Sequence, residues 1–148
     1  MFRYLLLILL IFIIFLLLLW YRVHSFKNFH RKPLEIKVKI ASTPKEIQTG
    51  LMGVRHLGKN KGLLFTMNPQ IHTFWMKNTI IPLDIIFLIP LSSSPRYAKV
   101  IGFKENTKPY SLDPIRINKV SSWVLEVNAG TVNRENIKEG DIIKLTLD

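Results

Sequence analysis

Strict alternation opens the body of the chain. In Leu34-Glu35-Ile36-Lys37-Val38-Lys39-Ile40 the apolar residues take one side and the charges the other, which is the period of a half-exposed strand. Thr43-Pro44-Lys45-Glu46 matches a capping box with proline at the first helical position. It predicts a short helix to about Met52, stopped at Gly53, with Ile47 and Leu51 toward the core. Gly58-Lys59-Asn60-Lys61-Gly62 reads as a solvated basic turn rather than an anion-binding nest. A buried strand is expected over 63–67, with Asn68-Pro69 as a turn. Two more strands, 74–77 and 83–89, are joined through Asn78-Thr79, and Pro90 stops the second. Residues 91–95 read as a loop, 97–103 as a strand, and 104 to about 120 as an irregular stretch. In the strand over 123–127, Val124 and Glu126 share a face opposite Trp123, Leu125 and Val127. A helical turn falls between Gly130 and Lys138, and the last strand, 142–147, has Ile143, Leu145 and Leu147 on its core face. Many short strands with one or two short helices predict a β-rich α+β domain over residues 33–148, a single small antiparallel barrel or half-barrel.

Ahead of this domain, all 18 residues from 4 to 21 are Leu, Ile, Phe, Trp or Tyr. As a helix the run reaches about 27 Å, near the ~30 Å hydrocarbon core of a bilayer. It predicts one transmembrane helix, so that residues 1–32 form a membrane anchor and basic linker. The competing reading is a signal peptide cleaved near Val23-His24-Ser25, but the run exceeds the ~7–15 apolar residues of a signal-peptide core. By the flanking-charge rule, Arg22, Lys27, Arg31 and Lys32 after the run, against Arg3 before it, favour a cytoplasmic body.

The net charge of +11 changes this picture little. Residues 1–32 hold five Lys/Arg and no acid, whereas residues 33–148 hold 16 Lys/Arg against 10 Asp/Glu. About half the excess therefore sits in the anchor and linker, where basic residues suit an anionic leaflet. The body's charges are scattered without a basic helix, and no nucleic-acid partner is expected. Cysteine is absent, which excludes disulfides and thiolate chemistry. The histidines at 24, 30, 56 and 72 lack metal-ligand spacing, and Ser92, Ser93 and Ser94 lack a nucleophile elbow. No metal, no cofactor and no serine nucleophile are expected.

Several motifs resemble the prokaryotic domain-of-unknown-function family 192. They are Gly50-Leu51-Met52 with Arg55, Gly62-Leu63-Leu64-Phe65, and Phe74-Trp75-Met76-Lys77-Asn78-Thr79 followed by Pro82-Leu83-Asp84. Val124-Leu125-Glu126-Val127 with Gly130 and Ile137-Lys138-Glu139-Gly140-Asp141 complete the set. The resemblance covers nearly all of residues 34–147. Leu64 stands where the family usually carries methionine, an apolar exchange that a core tolerates. The apolar run makes the expected protein single-pass, and because members often carry an export signal or anchor, the resemblance implies an extracytoplasmic body, against the flanking charges.

The polar groups that stand out against apolar runs are Arg55, Lys77, Asn78, Thr79, Asp84 and Glu126, with Trp75 beside Lys77. On structural grounds Asn78 and Thr79 shape a turn. Asp84, on a strand with two apolar faces, needs a cation, Arg55 first and Lys77 second. Read as a site, the same set binds a small polar or anionic ligand or a protein partner beside Trp75. An enzyme is the alternative, with Asp84 or Glu126 as general base and Lys77 stabilising charge. A purely structural or accessory membrane protein is the third reading.

Overall fold

The computed structural model describes residues 2–29, 32–92 and 94–148. His30, Arg31 and Ser93, weighed above, lie outside the described residues. The chain divides into two compact units, 1–32 and 33–148. The first contains α1 (Phe2–Phe29), a helix of 28 residues. The expected transmembrane span is corrected here: among the described residues no helix is long and apolar enough to cross a membrane. The membrane partnership and the single-pass, extracytoplasmic placement rested on that span and are withdrawn with it.

The second unit runs β1 (Leu34–Ala41), α2 (Pro44–Thr49), β2 (Lys61–Gln70), β3 (Leu83–Leu91), β4 (Ser94–Thr107), β5 (Ser121–Asn128), α3 (Thr131–Arg134) and β6 (Ile142–Leu147). These strands close into a six-stranded barrel in the order β1-β2-β5-β3-β4-β6. The barrel is mixed rather than antiparallel, because β1 runs parallel to both β2 and β6. Parallel neighbours need a crossover, and α2 with the loop after it supplies the one from β1 to β2.

Local chemistry explains most element ends. The capping box forms: Glu46 Oε2 accepts from Thr43 N at 2.9 Å, and Thr43 Oγ1 accepts from Glu46 N at 3.3 Å. The helix stops at Gly50 rather than Gly53, since Gly50 already turns to φ +48°. Asn68-Pro69 lies inside β2, where the register to β5 shifts between Thr66 and Gln70; a bulge tolerates a residue that cannot donate. The expected strand 74–77 reduces to one bridge, Phe74 with Ile115. Leu91 pairs directly with Ser94, so strand pairing extends into the loop expected over 91–95.

Two apolar layers result. Ile36, Val38, Leu64, Ile86, Leu125 and Ile143 fill the barrel. Outside the β2-β5-β3 wall, Phe65, Val124, Ile85 and Phe87 pack beneath Leu51, Met76 and Ile115. Both faces of β3 and β5 are thereby buried. Gly62, on β2, permits the close approach of β5: a Cβ there would meet Glu126 O at 2.7 Å and Leu125 Cδ1 at 2.9 Å. Gly62→Ala is expected to destabilise by about 1–3 kcal/mol, the usual range for overpacking, as read by urea unfolding. An unchanged midpoint would show that β2 and β5 can separate without cost.

Candidate functional site

Glu126 is set by its strand. Because β5 lies between β2 and β3, its register neighbours are Leu63 and Ile85, neither of which offers a donor from its side chain. The residue is 5% exposed, and its Oε2 is buried with no hydrogen-bond partner. Burial alone pushes the carboxyl up to about 8, since desolvation disfavours the charged form.

The carboxyl lies at a cleft of about 500 Å³ bounded by α2, the loop after it and the segment 70–75. One wall is aromatic. Phe65 and Phe74 meet edge to face at 5.1 Å between ring centres, Phe74 and Phe87 at 6.4 Å, and Trp75, 48% exposed, joins Phe65 and Phe74 in the lining. Gly50 closes the other side. Its φ of +48° disfavours any side chain, and a Cβ there would stand 3.3 Å from Phe65 Cζ and 3.7 Å from Glu126 Oε2. The glycine therefore keeps the approach to the carboxyl open.

His72 is buried and also lines the cleft. Its Nε2 lies 3.0 Å from Asn68 O and its Nδ1 3.4 Å from Gln70 Nε2. A carbonyl can only accept and an amide nitrogen only donate, so these partners assign the ring proton to Nε2. Gln48, Thr49, Gln70 and Thr73 supply further polar groups, and no Lys or Arg belongs to the lining. Among the described residues no cluster of His, Asp and Glu could hold a metal ion.

Of the residues expected from sequence, the structure brings Trp75, Thr79 and Glu126 to this cleft. Lys77 is exposed with its Nζ 5.4 Å from the centre of the Trp75 ring, a cation–π contact at the rim. Asn78 is a turn residue at φ +56°, with Thr79 N donating to Met76 O and Gly53 N to Asn78 O. Arg55 is exposed and forms no ion pair among the described residues.

Asp84 is fully buried, but its partner is not the expected cation. Oδ1 accepts from Asn106 N and Oδ2 from Val132 N, both at 2.8 Å. Its register partner is Val127, whereas Ile85 pairs with Glu126, so alternation sends the two carboxyls to opposite faces of the wall. Asp84 and Glu126 therefore do not converge. Gln70 was not singled out in the sequence, His72 was weighed only as a metal ligand and Gly50 only as part of the Gly50-Leu51-Met52 motif; of their roles in the cleft, only the positive φ of Gly50 had a sequence signal, the glycine itself.

None of the curated proteins matches the chain. Two crystal structures resemble it closely. A protein of unknown function from Novosphingobium aromaticivorans DSM 12444 is 38% identical with a TM-score of 0.64, over 72% of this chain and 74% of that one. A protein from Sinorhizobium meliloti 1021, described as a candidate transcription regulator, is 31% identical with a TM-score of 0.65, over 72% of this chain and 80% of that one. The family model matches residues 26–145, and the chain belongs to the domain-of-unknown-function family 192, described as Uncharacterized ACR.

Proposed function

We propose that the cleft over Glu126 binds a small molecule with a flat, apolar body and an N–H or O–H group, which the carboxyl receives. The observation that carries this reading is the unpartnered Glu126 Oε2, buried beneath an aromatic wall. A buried polar atom without a partner is uncommon and costly, and a ligand donor would satisfy it. The cleft volume lies in the ordinary range for small-molecule sites. The anionic ligand expected from Lys77 loses support, because Lys77 stays at the rim and the lining carries no cation. A catalytic reading loses its second carboxylate, since Asp84 is on the other face and committed to two backbone donors.

Calorimetry of the full chain at pH 9, above the value of about 8 to which burial raises Glu126 and where its ionised carboxylate can only accept, with benzylamine, benzamide and benzoate tests this. The amine and amide are expected to bind and benzoate not to. Trp75→Ala is expected to weaken binding about tenfold, in the range for truncating a central aromatic, and Glu126→Leu to abolish it. Equal binding of benzoate, or binding indifferent to both substitutions, would overturn the proposal.

A further inference from the structure

The segment that covers the β2-β5-β3 wall has an open main-chain edge. Phe74 and Ile115 form a hydrogen-bonded antiparallel pair, each N–H donating to the other's carbonyl at 2.8 Å, and Met76 N donates to Ser111 O at 2.9 Å. Successive residues of an extended chain turn their N–H and C=O to opposite sides, so Thr73 and Trp75 direct theirs away from 111–115. Among the described residues no backbone group of Thr73 or Trp75 has a backbone partner. The cleft over Glu126 lies on that side: both residues line it, with Gln48, Thr49 and Gly50 on the opposite bank. At one end Gly53 N donates to Asn78 O and ties the two banks together. Phe74 and Met76 pack toward the wall with Val124, and alternation puts Glu126 on the same face of β5 as Val124.

We propose that the ligand of this cleft is an extended peptide, added as a strand to the edge at Thr73 and Trp75, with a tyrosine or tryptophan side chain over Glu126. The proposal rests on the reading of Glu126 above and names its ligand, since each of these side chains is a flat, apolar body with one O–H or N–H donor. In strand addition, main-chain hydrogen bonds give affinity and a pocket for alternate side chains gives specificity. Both parts are present here. The peptide residue opposite Trp75 exchanges two hydrogen bonds with it and points its side chain outward, as the half-exposed Trp75 does. Its neighbour points to the wall, as Phe74 does. That neighbour's ring lies against Phe65 and Phe74, passes Gly50, which has no side chain to block it, and donates to Glu126 Oε2.

The test is calorimetry of the full chain with p-cresol and with the capped tripeptides acetyl-Ala-Tyr-Ala-amide and acetyl-Ala-Phe-Ala-amide, at pH 9, where a phenol (pKa ~10) still keeps most of its proton. The tyrosine peptide is expected to bind about tenfold more tightly than the phenylalanine peptide, for one hydrogen bond to a charged acceptor. It should exceed p-cresol by about tenfold, for the two main-chain bonds to Trp75. N-methylation of both alanines is expected to remove that second advantage, whereas N-methylation of the tyrosine, whose N–H turns away from Trp75, should be tolerated. Glu126→Leu should make the tyrosine and phenylalanine peptides equal. These comparisons change the ligand and leave the wild-type chain intact, so a loss of binding is not a loss of folding. p-Cresol binding as tightly as the tyrosine peptide, or alanine N-methylation without effect, would overturn the peptide and leave the reading of Glu126 standing. Tyrosine and phenylalanine peptides that bind the wild-type chain alike would overturn that reading and the peptide with it.

Discussion

Alanine at position 84 is expected to lower stability by about 3–5 kcal/mol, a large part of the ~5–15 kcal/mol that holds a typical domain folded. The carboxylate of Asp84 joins elements that are far apart in sequence. Oδ1 receives the N–H of Asn106 near the end of β4, and Oδ2 receives the N–H of Val132 in the first turn of α3. That helix has no cap of its own: its N-cap is Gly130, at φ +77° with no side-chain hydrogen bond. Asp84 thus caps α3 from a neighbouring strand. Each hydrogen bond to a charged group is worth about 1.5–3 kcal/mol, and removing the acceptor leaves its donors unsatisfied. Asp84→Asn keeps one acceptor and turns an amide N–H₂ toward the other donor, so it should cost about half as much. Arg55→Ala, by contrast, should stay within about 0.5 kcal/mol, as surface changes do. Urea unfolding of the three variants decides the matter. A costly Arg55→Ala beside a mild Asp84→Ala would show that the ion pair expected from sequence, not the backbone pair, governs this residue.

The need for a partner at Asp84 was legible because the strand around it has two apolar faces. The identity of the partner was not, since backbone N–H groups 22 and 48 residues away leave no mark in a sequence. The same division runs through the fold. Alternation in 34–40 and the capping box at Thr43 are local signals, and both elements form where those signals lie. Residues 74–77 alternate too, yet a strand also needs an edge to pair with, and closure of β1 on β6 leaves none. The segment instead becomes a cover over the β2-β5-β3 wall, held through Phe74 and Met76 to Ile115 and Ser111. The transmembrane reading of residues 4–21 rested on composition and length alone, and no helix among the described residues meets that requirement. In the cleft, Trp75 and Glu126 stood out as polar or amphipathic groups beside apolar runs. His72 and Gln70 did not, because only the folding of 68–72 at the β2 bulge brings them there.

Raising the pH from about 4.5 to about 8 is expected to remove on the order of 5 kcal/mol of stability through Glu126 alone. Its carboxyl is raised from the ordinary 4.5 to about 8 in the folded protein, and each unit of difference is worth ~1.4 kcal/mol. Between those values the native state holds a proton that the unfolded state has released, so stability falls with rising pH. The contribution is complete below about 4.5 and lost above about 8. Glu46 and Asp148 act in the opposite sense. Backbone hydrogen bonds at Thr43 and Ser42 lower the first, and the Lys61 hydrogen bond lowers the second. What they contribute is present at neutral pH and lost only in acid, so the two limbs do not overlap. Glu126→Gln cannot titrate. Its stability should stay flat from about pH 5 to 8 apart from other groups, so that the wild type loses ground to it steadily as the pH rises. Urea unfolding at pH 5, 6.5, 8 and 9 supplies the comparison. Parallel profiles for wild type and variant would mean that the carboxyl is not held neutral by burial, and the unpartnered oxygen would then lose its place as the floor of a binding site.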